Sequence, residues 1–332
     1  MLGAILAVLS GASFALNNAA ARRAVLTGTP IQGMAVTVPI GVLCFLPIAF
    51  VTGELARLAE FPAVAAAWMA GVGVLHFLFG RYCNYRANQS AGANLSGPVI
   101  QMQVVVTLAL AVIVLTEPCT LLQMLGGVVM LSGSLVTQSQ QSPRAGARVS
   151  GAMGSATVPT FVPRYAEGML FGSLAAIAYG TSPIMVRMAL RHSGPSSAIL
   201  GGLIAYASAT VGMAVLVGFS IPLQRNVMAL RRESVPWFVY SGVMVALAQG
   251  FLYSAVAVAP IMLVVPLQQS SVVFRLVFSR LLNPTHEVFG ARVIIGAALS
   301  IVGASTVSID SGLILDAVGA PLELARLLQW RI

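Results

Sequence analysis

Side chains able to grip a small polar molecule stand in this sequence where their surroundings are otherwise apolar. The run Gly80-Arg81-Tyr82-Cys83-Asn84-Tyr85-Arg86 sets guanidinium groups and phenols directly after a hydrophobic stretch. An arginine at the middle of a membrane helix costs roughly 2.5–3.5 kcal/mol on insertion scales, so such residues face a cavity or a headgroup. Arg81 and Arg86 are five residues apart, which separates them by roughly 100–150° on an ideal helix. Tyr82, Tyr85 and Arg86 therefore make one candidate solute-facing strip. The alternative is an interfacial anchor, because Tyr favours headgroups and Arg snorkels toward them.

Two glutamines form a second set. Gln101 and Gln269 each follow a proline, Pro98 and Pro266, by three residues. Proline removes a backbone donor and frees a carbonyl toward a neighbouring group. The glutamines either line a central polar site, extended by Gln103, Gln268 and Ser271, or join helices by hydrogen bonds. Such bonds in membranes are worth about 0.6 kcal/mol on average. Arg275 lies between Phe274 and Leu276 and is either a solute counter-ion or a snorkelling side chain. Arg22 and Arg187 close two apolar runs and read as anchors or gates.

The remaining reactive types suggest no catalysis. Glu117 and Glu287 precede apolar helices, where a carboxylate favours the positive helix end; proton carriage is the competing role. His76 sits alone in an apolar run and reads as a packed, hydrogen-bonding side chain, while His192 and His286 fall in loops. Cys44, Cys83 and Cys119 have no ligand-like spacing and read as small apolar fillers. No metal cluster, no Ser/His/Asp order and no phosphate-binding GxxxxGK[ST] segment appears. The sequence implies no enzyme, no metal and no cofactor.

These residues are positioned by elements that lie in lipid. Hydrophobic residues make up 58% of the 332 and charged residues only 8%, too few to clothe a water-facing surface. All basic residues are arginine, 18 against nine acids, scattered between apolar runs as headgroup anchors rather than as a nucleic-acid footprint. The runs are continuous rather than alternating, which favours helices over a barrel. At about 20 residues per crossing, the expected spans are 2–21, 33–52, 63–82, 92–115, 119–137, 166–187, 197–218, 236–255, 259–281 and 288–307. Met1–Leu16 lacks a positive n-region and reads as a retained first span. Tight turns are expected at Asn84–Gly92 and Val256–Ile261.

The two ends of the chain echo each other. Arg22 aligns with Arg187 and Pro30 with Pro195 at an offset of 165, and Tyr85 with Tyr253, Pro98 with Pro266 and Gln101 with Gln269 at 168. Glu117 aligns with Glu287 at 170. The expectation is an all-α integral membrane protein of ten transmembrane helices in two inverted five-helix repeats. Residues 1–137 would form the first repeat, 138–163 a flexible linker, 164–308 the second repeat, and 309–332 a polar or surface tail. Inverted repeats are a recurring design of secondary transporters, with the substrate site near the interface of the halves. Gly168-x-x-x-Gly172 is a packing motif that leaves a homodimer open but is explained equally by packing within one bundle.

Tyr85, Ala91, Pro98, Glu117-Pro118, Gly126-Gly127 and Gly133, with Tyr253-Ser254, Ala259, Pro266, Glu287, Gly290, Gly296 and Gly303, resemble the drug/metabolite transporter superfamily, specifically EamA-like transporters. The resemblance runs from Met1 to about Ser308. It implies a gradient-driven transporter of small organic solutes, often amino acids or other metabolites moved outward, in a plasma or bacterial inner membrane. The polar Gly80–Arg86 run departs from the family's commoner pattern and leaves the solute unassigned.

The expected function is secondary transport, in the export direction, of a small polar or amphipathic metabolite by alternating access, with a proton or other ion as coupling partner. A flippase for lipid-linked solutes and a non-transporting membrane binding or assembly protein are the alternatives. The residues expected to touch the solute are Tyr82, Tyr85, Arg86, Gln101, Tyr253, Gln269 and Arg275; several cavity arginines would favour an anionic or zwitterionic one. Orientation is contested: Arg144, Arg148, Arg231 and Arg232 place one side in the cytoplasm and both termini outside, whereas the resemblance implies cytoplasmic termini.

Overall fold

The computed structural model describes residues 1–25, 27–91, 99–100, 102–117, 119–139, 164–282 and 291–308, with single positions 321, 323 and 328. Every extended element among them is helical. Helices α1 (Leu2–Val25) and α2 (Pro30–Val51) are followed by a 3₁₀ segment, Glu54–Glu60. Helix α3 (Ala63–Val72) runs without interruption through a π-helical segment, Gly73–Gly80, into α4 (Arg81–Ala91). Then come α5 (Gln103–Leu115), α6 (Leu121–Ser139), α7 (Tyr165–Ser193), α8 (Ala198–Gly218), α9 (Ile221–Met228) and α10 (Val235–Val258). The last described helices are α11 (Ile261–Gln268), α12 (Ser271–Leu282) and α13 (Ala291–Ser308).

Local signals set the helix starts. Thr29 and Gln32 form a capping box for α2: Gln32 N donates to Thr29 Oγ1 at 3.3 Å, and Thr29 N donates to Gln32 Oε1 at 2.8 Å. Pro30 at the first helical position adds a preset φ where no donor is missed. Thr120 and Gln123 repeat the device before α6, with bonds of 3.0 and 3.2 Å.

The span count differs from the sequence expectation. Six helices among the described residues are long and apolar enough to cross a membrane: Leu2–Ala21, Pro30–Val51, Ala63–Ala87, Ala166–Ser193, Pro195–Gly218 and Val235–Val258. This overturns ten transmembrane helices in two inverted five-helix repeats. Helix α5 has 13 residues, about 20 Å at 1.5 Å each, against roughly 30 Å of hydrocarbon. In α6 the apolar stretch stops at Gly133. The expected span 259–281 is broken after Pro266, with Gln269 closing α11 and α12 starting at Ser271. Helix α13 has 18 residues, again short of the full thickness. The third span errs the other way: no turn forms at residues 84–91, which continue the rod as α4. The linker from residue 140 and nearly all of the tail lie outside the described residues.

Helix α1 packs on α10 and α12, α2 lies between α8 and α10, and the α3–π–α4 rod packs on α7 and α8. Helix α6 packs on α13. Alternation of direction gathers helix termini at two ends of the bundle. At one end a Cβ on Gly3 would meet Ala259 Cβ at 2.5 Å, and Leu200 N donates to Glu54 Oε2 at 2.9 Å. At the other, Thr29 Oγ1 donates to Asn226 Oδ1 at 2.7 Å and Arg164 N to Ser90 O at 2.9 Å. The long helices thus hold their central residues at mid-depth.

Candidate functional site

The π segment is what brings charge to the centre. The backbone N–H of Arg81 donates to His76 O, closing a turn between residues five apart. In an α-helix those side chains would diverge; in a π turn they share a face. Single π turns recur at functional sites because they re-aim side chains in this way. His76 is thirteen residues from Ala63 and fifteen from Ala91, and so lies near the middle of the rod.

Around it gather polar and aromatic groups from five helices. Arg81 is 6% exposed, and its Nη1 donates to Thr37 Oγ1 of α2 at 2.8 Å. The guanidinium carbon stands 5.3 Å from the centroid of the Phe77 ring, a cation–π distance. Phe77 stacks on Tyr206 of α8 with centroids 4.1 Å apart and planes 21° from parallel. Tyr179 of α7 lies 4.7 Å from the His76 ring, and its hydroxyl accepts from Asn84 Nδ2 at 3.4 Å. Gln249 of α10 places Nε2 2.9 Å from His76 Nε2. Tyr85 and Tyr253 lie within electrostatic reach of Arg81.

Two glycines make the assembly fit. A Cβ on Gly41 would fall 1.9 Å from the Tyr206 ring, so only glycine lets that ring lie against α2. A Cβ on Gly73 would meet Ala205 O at 2.1 Å, so glycine also brings the π segment onto α8.

The cluster is rich in unspent hydrogen-bonding capacity. His76 Nδ1, Gln249 Oε1, Tyr206 Oη and Tyr253 Oη are sealed from solvent without a hydrogen-bond partner. Tyr206 Oη stands beside the Arg81 guanidinium but makes no aligned bond to it. Buried polar groups are ordinarily satisfied, and each orphan costs about 1–3 kcal/mol. Arg81 has no carboxylate partner among the described residues. The arrangement suits a small anion with further polar atoms and a flat or apolar body to lie against the rings.

Charges elsewhere have a different use. Glu117 accepts from Ile261 N at 3.2 Å and Met262 N at 3.1 Å, so it caps α11 rather than the helix that follows it in sequence. Arg187 donates from Nη1 to Val256 O at the last turn of α10, and Arg191 Nη2 to Leu115 O of α5 at 3.1 Å. A rim hollow lined by Glu54, Arg57, Phe61, Ser193 and Leu200 lies at the bundle's end, away from the central cluster. Burial pushes the Glu54 carboxyl above the usual carboxylate range, against the opposing pull of Leu200 N–H and Arg57.

Of the residues expected to touch a solute, the structure brings Tyr85 and Tyr253 into the cluster. Tyr82 is 39% exposed and turns outward, edge-on to Phe171 with centroids 6.1 Å apart. Arg86 Nε pairs with Glu167 Oε1 at 2.7 Å, and Glu167 also holds Arg164 at 2.9 Å. Gln269 is buried at the break between α11 and α12, while its neighbour Gln268 donates to Ser10 Oγ of α1 at 3.1 Å. Arg275 lies on α12 with its side chain outside the described residues, and Gln101 and Glu287 fall outside them altogether. Sequence reasoning left out Arg81, Thr37, Tyr206 and Gln249 and treated His76 as packing. The usable signal was position: His76, Tyr179, Tyr206 and Gln249 are polar residues near the centres of apolar helices.

Residues 1–138 match the EamA-like transporter family. No curated protein matches the chain. A solved crystal structure of a protein aligns over 96% of this chain and 98% of its own at a TM-score of 0.62 and 19% identity, which establishes a shared fold. The molecule is a multi-span helical membrane protein, distantly related through its first 138 residues to the EamA-like transporter family.

Proposed function

We propose that this protein is a secondary transporter that moves a small organic metabolite bearing an acidic group outward across a cell membrane. The observation that carries the reading is Arg81: a buried cation at mid-depth with no carboxylate partner among the described residues, ringed by unpartnered polar atoms. Polar groups this deep in a helical bundle are costly and mark solute pathways, and transporters bind near the midplane. Arg81 would hold the acidic group. Tyr206, Tyr253 and Gln249 would orient other polar atoms, and Phe77 and Tyr206 would pack against the organic body. Because these groups are sealed, entry requires helices to part at one end of the bundle and then the other. That motion is alternating access, and it changes no covalent bond. The outward direction rests on the resemblance alone.

The test is exchange of labelled amino acids and carboxylates by purified protein in lipid vesicles. Saturable exchange is expected for at least one of them. Arg81→Gln should weaken it about 10–100-fold, the equivalent of the 1.5–3 kcal/mol of a charged hydrogen bond. Arg81→Lys should retain part of it, since the charge stays while the planar fork is lost. Absence of saturable exchange for the whole panel overturns the reading.

A further inference from the structure

We propose that the central site binds an anion and a proton together, the anion on Arg81 and the proton on His76. The inference rests on the transport reading for its biological use, and on the His76–Gln249 contact for its chemistry.

With Gln249 Nε2 2.9 Å from His76 Nε2, the amide donates and the ring nitrogen accepts. That describes a neutral imidazole whose proton is on Nδ1, the nitrogen left without an acceptor. The amide oxygen, Gln249 Oε1, is equally without a partner. A half-turn of the amide about its last bond exchanges the two ends. Oε1 then faces Nε2 and accepts a hydrogen bond from it, which suits an imidazolium. The pair therefore serves both protonation states of His76 with no movement of the backbone, and an anion in the site supplies the acceptor that Nδ1–H lacks.

Arg81 links the proton to the anion. It stands one π turn from His76 and shares its face. Two positive charges side by side disfavour each other. An anion on Arg81 cancels that repulsion and favours the second positive charge. The imidazole meets Phe77 on its own segment, Tyr179 on α7 and Gln249 on α10, while Tyr85 on α4, Tyr206 on α8 and Tyr253 on α10 lie around Arg81. None of these is a carboxylate, and among the described residues Glu54, Glu60, Glu117, Glu167 and Glu233 lie at helix ends. In this proposal the solute brings the negative charge.

The balance is simple. A proton leaves water on one side, occupies His76 while the anion is bound, and returns to water on the other side as the anion departs. A singly charged anion then crosses with no net charge, and its flux follows the anion's own gradient together with the pH difference.

Benzenesulfonate and methanesulfonate are suitable probes, because neither carries a proton near neutral pH and any proton taken up belongs to the protein. Purified protein in weakly buffered detergent at pH 7 should take up about one proton per sulfonate bound. Nitrogen NMR of labelled histidine should show His76 gaining a proton on sulfonate addition. His76→Asn should bind sulfonate more weakly and with proton uptake lost, Arg81→Gln should lose both, and Arg81→Lys should recover part of each. Binding by the wild-type protein without proton uptake overturns the proposal, as does uptake that persists in His76→Asn. Failure of both sulfonates to bind overturns it too. Proton-linked binding without exchange in vesicles would instead sustain the linkage and defeat the transport reading.

Discussion

The centre of the bundle and its Glu117–Arg187–Arg191 end use charge in opposite ways. At that end four charged groups answer helix termini. Glu117 meets the free N–H groups of α11, Glu54 that of Leu200, and Arg187 and Arg191 the terminal carbonyls of α10 and α5. These contacts join unsatisfied backbone groups to charges of the sign the helix dipole favours. At the centre, Arg81 meets a hydroxyl and an aromatic face but no carboxylate among the described residues, and four neighbouring polar atoms are unpartnered. The first pattern stabilises the molecule as it stands. The second leaves polar groups unpaired, and the proposed binding site rests on that deficit.

The contrast predicts stability changes of opposite sign. Arg81→Met should raise thermal stability, by about 1–4 kcal/mol on the scale found when buried charges yield to apolar side chains, while removing sulfonate binding. A fall in melting temperature would mean that Arg81 is a structural group like those at the end. Glu117→Ala should lower stability by about 1–2 kcal/mol, the scale of a lost cap, with melting in detergent as the measure; an unchanged midpoint would break the comparison from the other side. Arg86→Gln removes a half-exposed pair to Glu167 and should cost under about 1 kcal/mol with sulfonate affinity unchanged. Reduced affinity there would restore Arg86 to the site.

The smallest effect is one of pH. The Glu54 carboxyl holds its proton more tightly folded than unfolded. The folded state therefore binds more protons between the ordinary carboxylate range and Glu54's raised one, and stability falls as pH rises through that interval. Glu54→Gln should flatten this part of a stability–pH curve measured by thermal melting.

The long helices were legible because runs such as Pro30–Val51 and Val235–Val258 have the length and apolarity that lipid demands. The ten-span count failed where apolarity was taken to guarantee length. The 259–281 run is interrupted within the bundle, where Gln268 bonds to Ser10 of α1 and Gln269 is buried rather than facing lipid. The third span was cut short for the opposite reason. Its Arg81–Ala91 stretch is too polar for lipid, yet Glu167, Thr37 and Tyr179 receive Arg86, Arg81 and Asn84. Tyr85 and Tyr253 were legible as matched aromatics. Arg81 and His76 were not seen as one unit, because a spacing of five shares a face in a π turn and diverges in an α turn. Nothing in the types of residues 73–80 announces that change of pitch; it appears only once Gly73 is found against the Ala205 carbonyl.

Glu117 carries a consequence for how the chain assembles. Helix α11 has eight residues, far fewer than the roughly 12–15 at which an isolated helix is even marginal. Its first N–H groups find their acceptor on a residue made 144 positions earlier. The acceptor is in place before α11 leaves the ribosome, so the early part of the chain serves as a mould for the late part. A chain cut before residue 261 keeps the mould without the cast, whereas one that begins after residue 117 lacks the surface on which α11 takes shape.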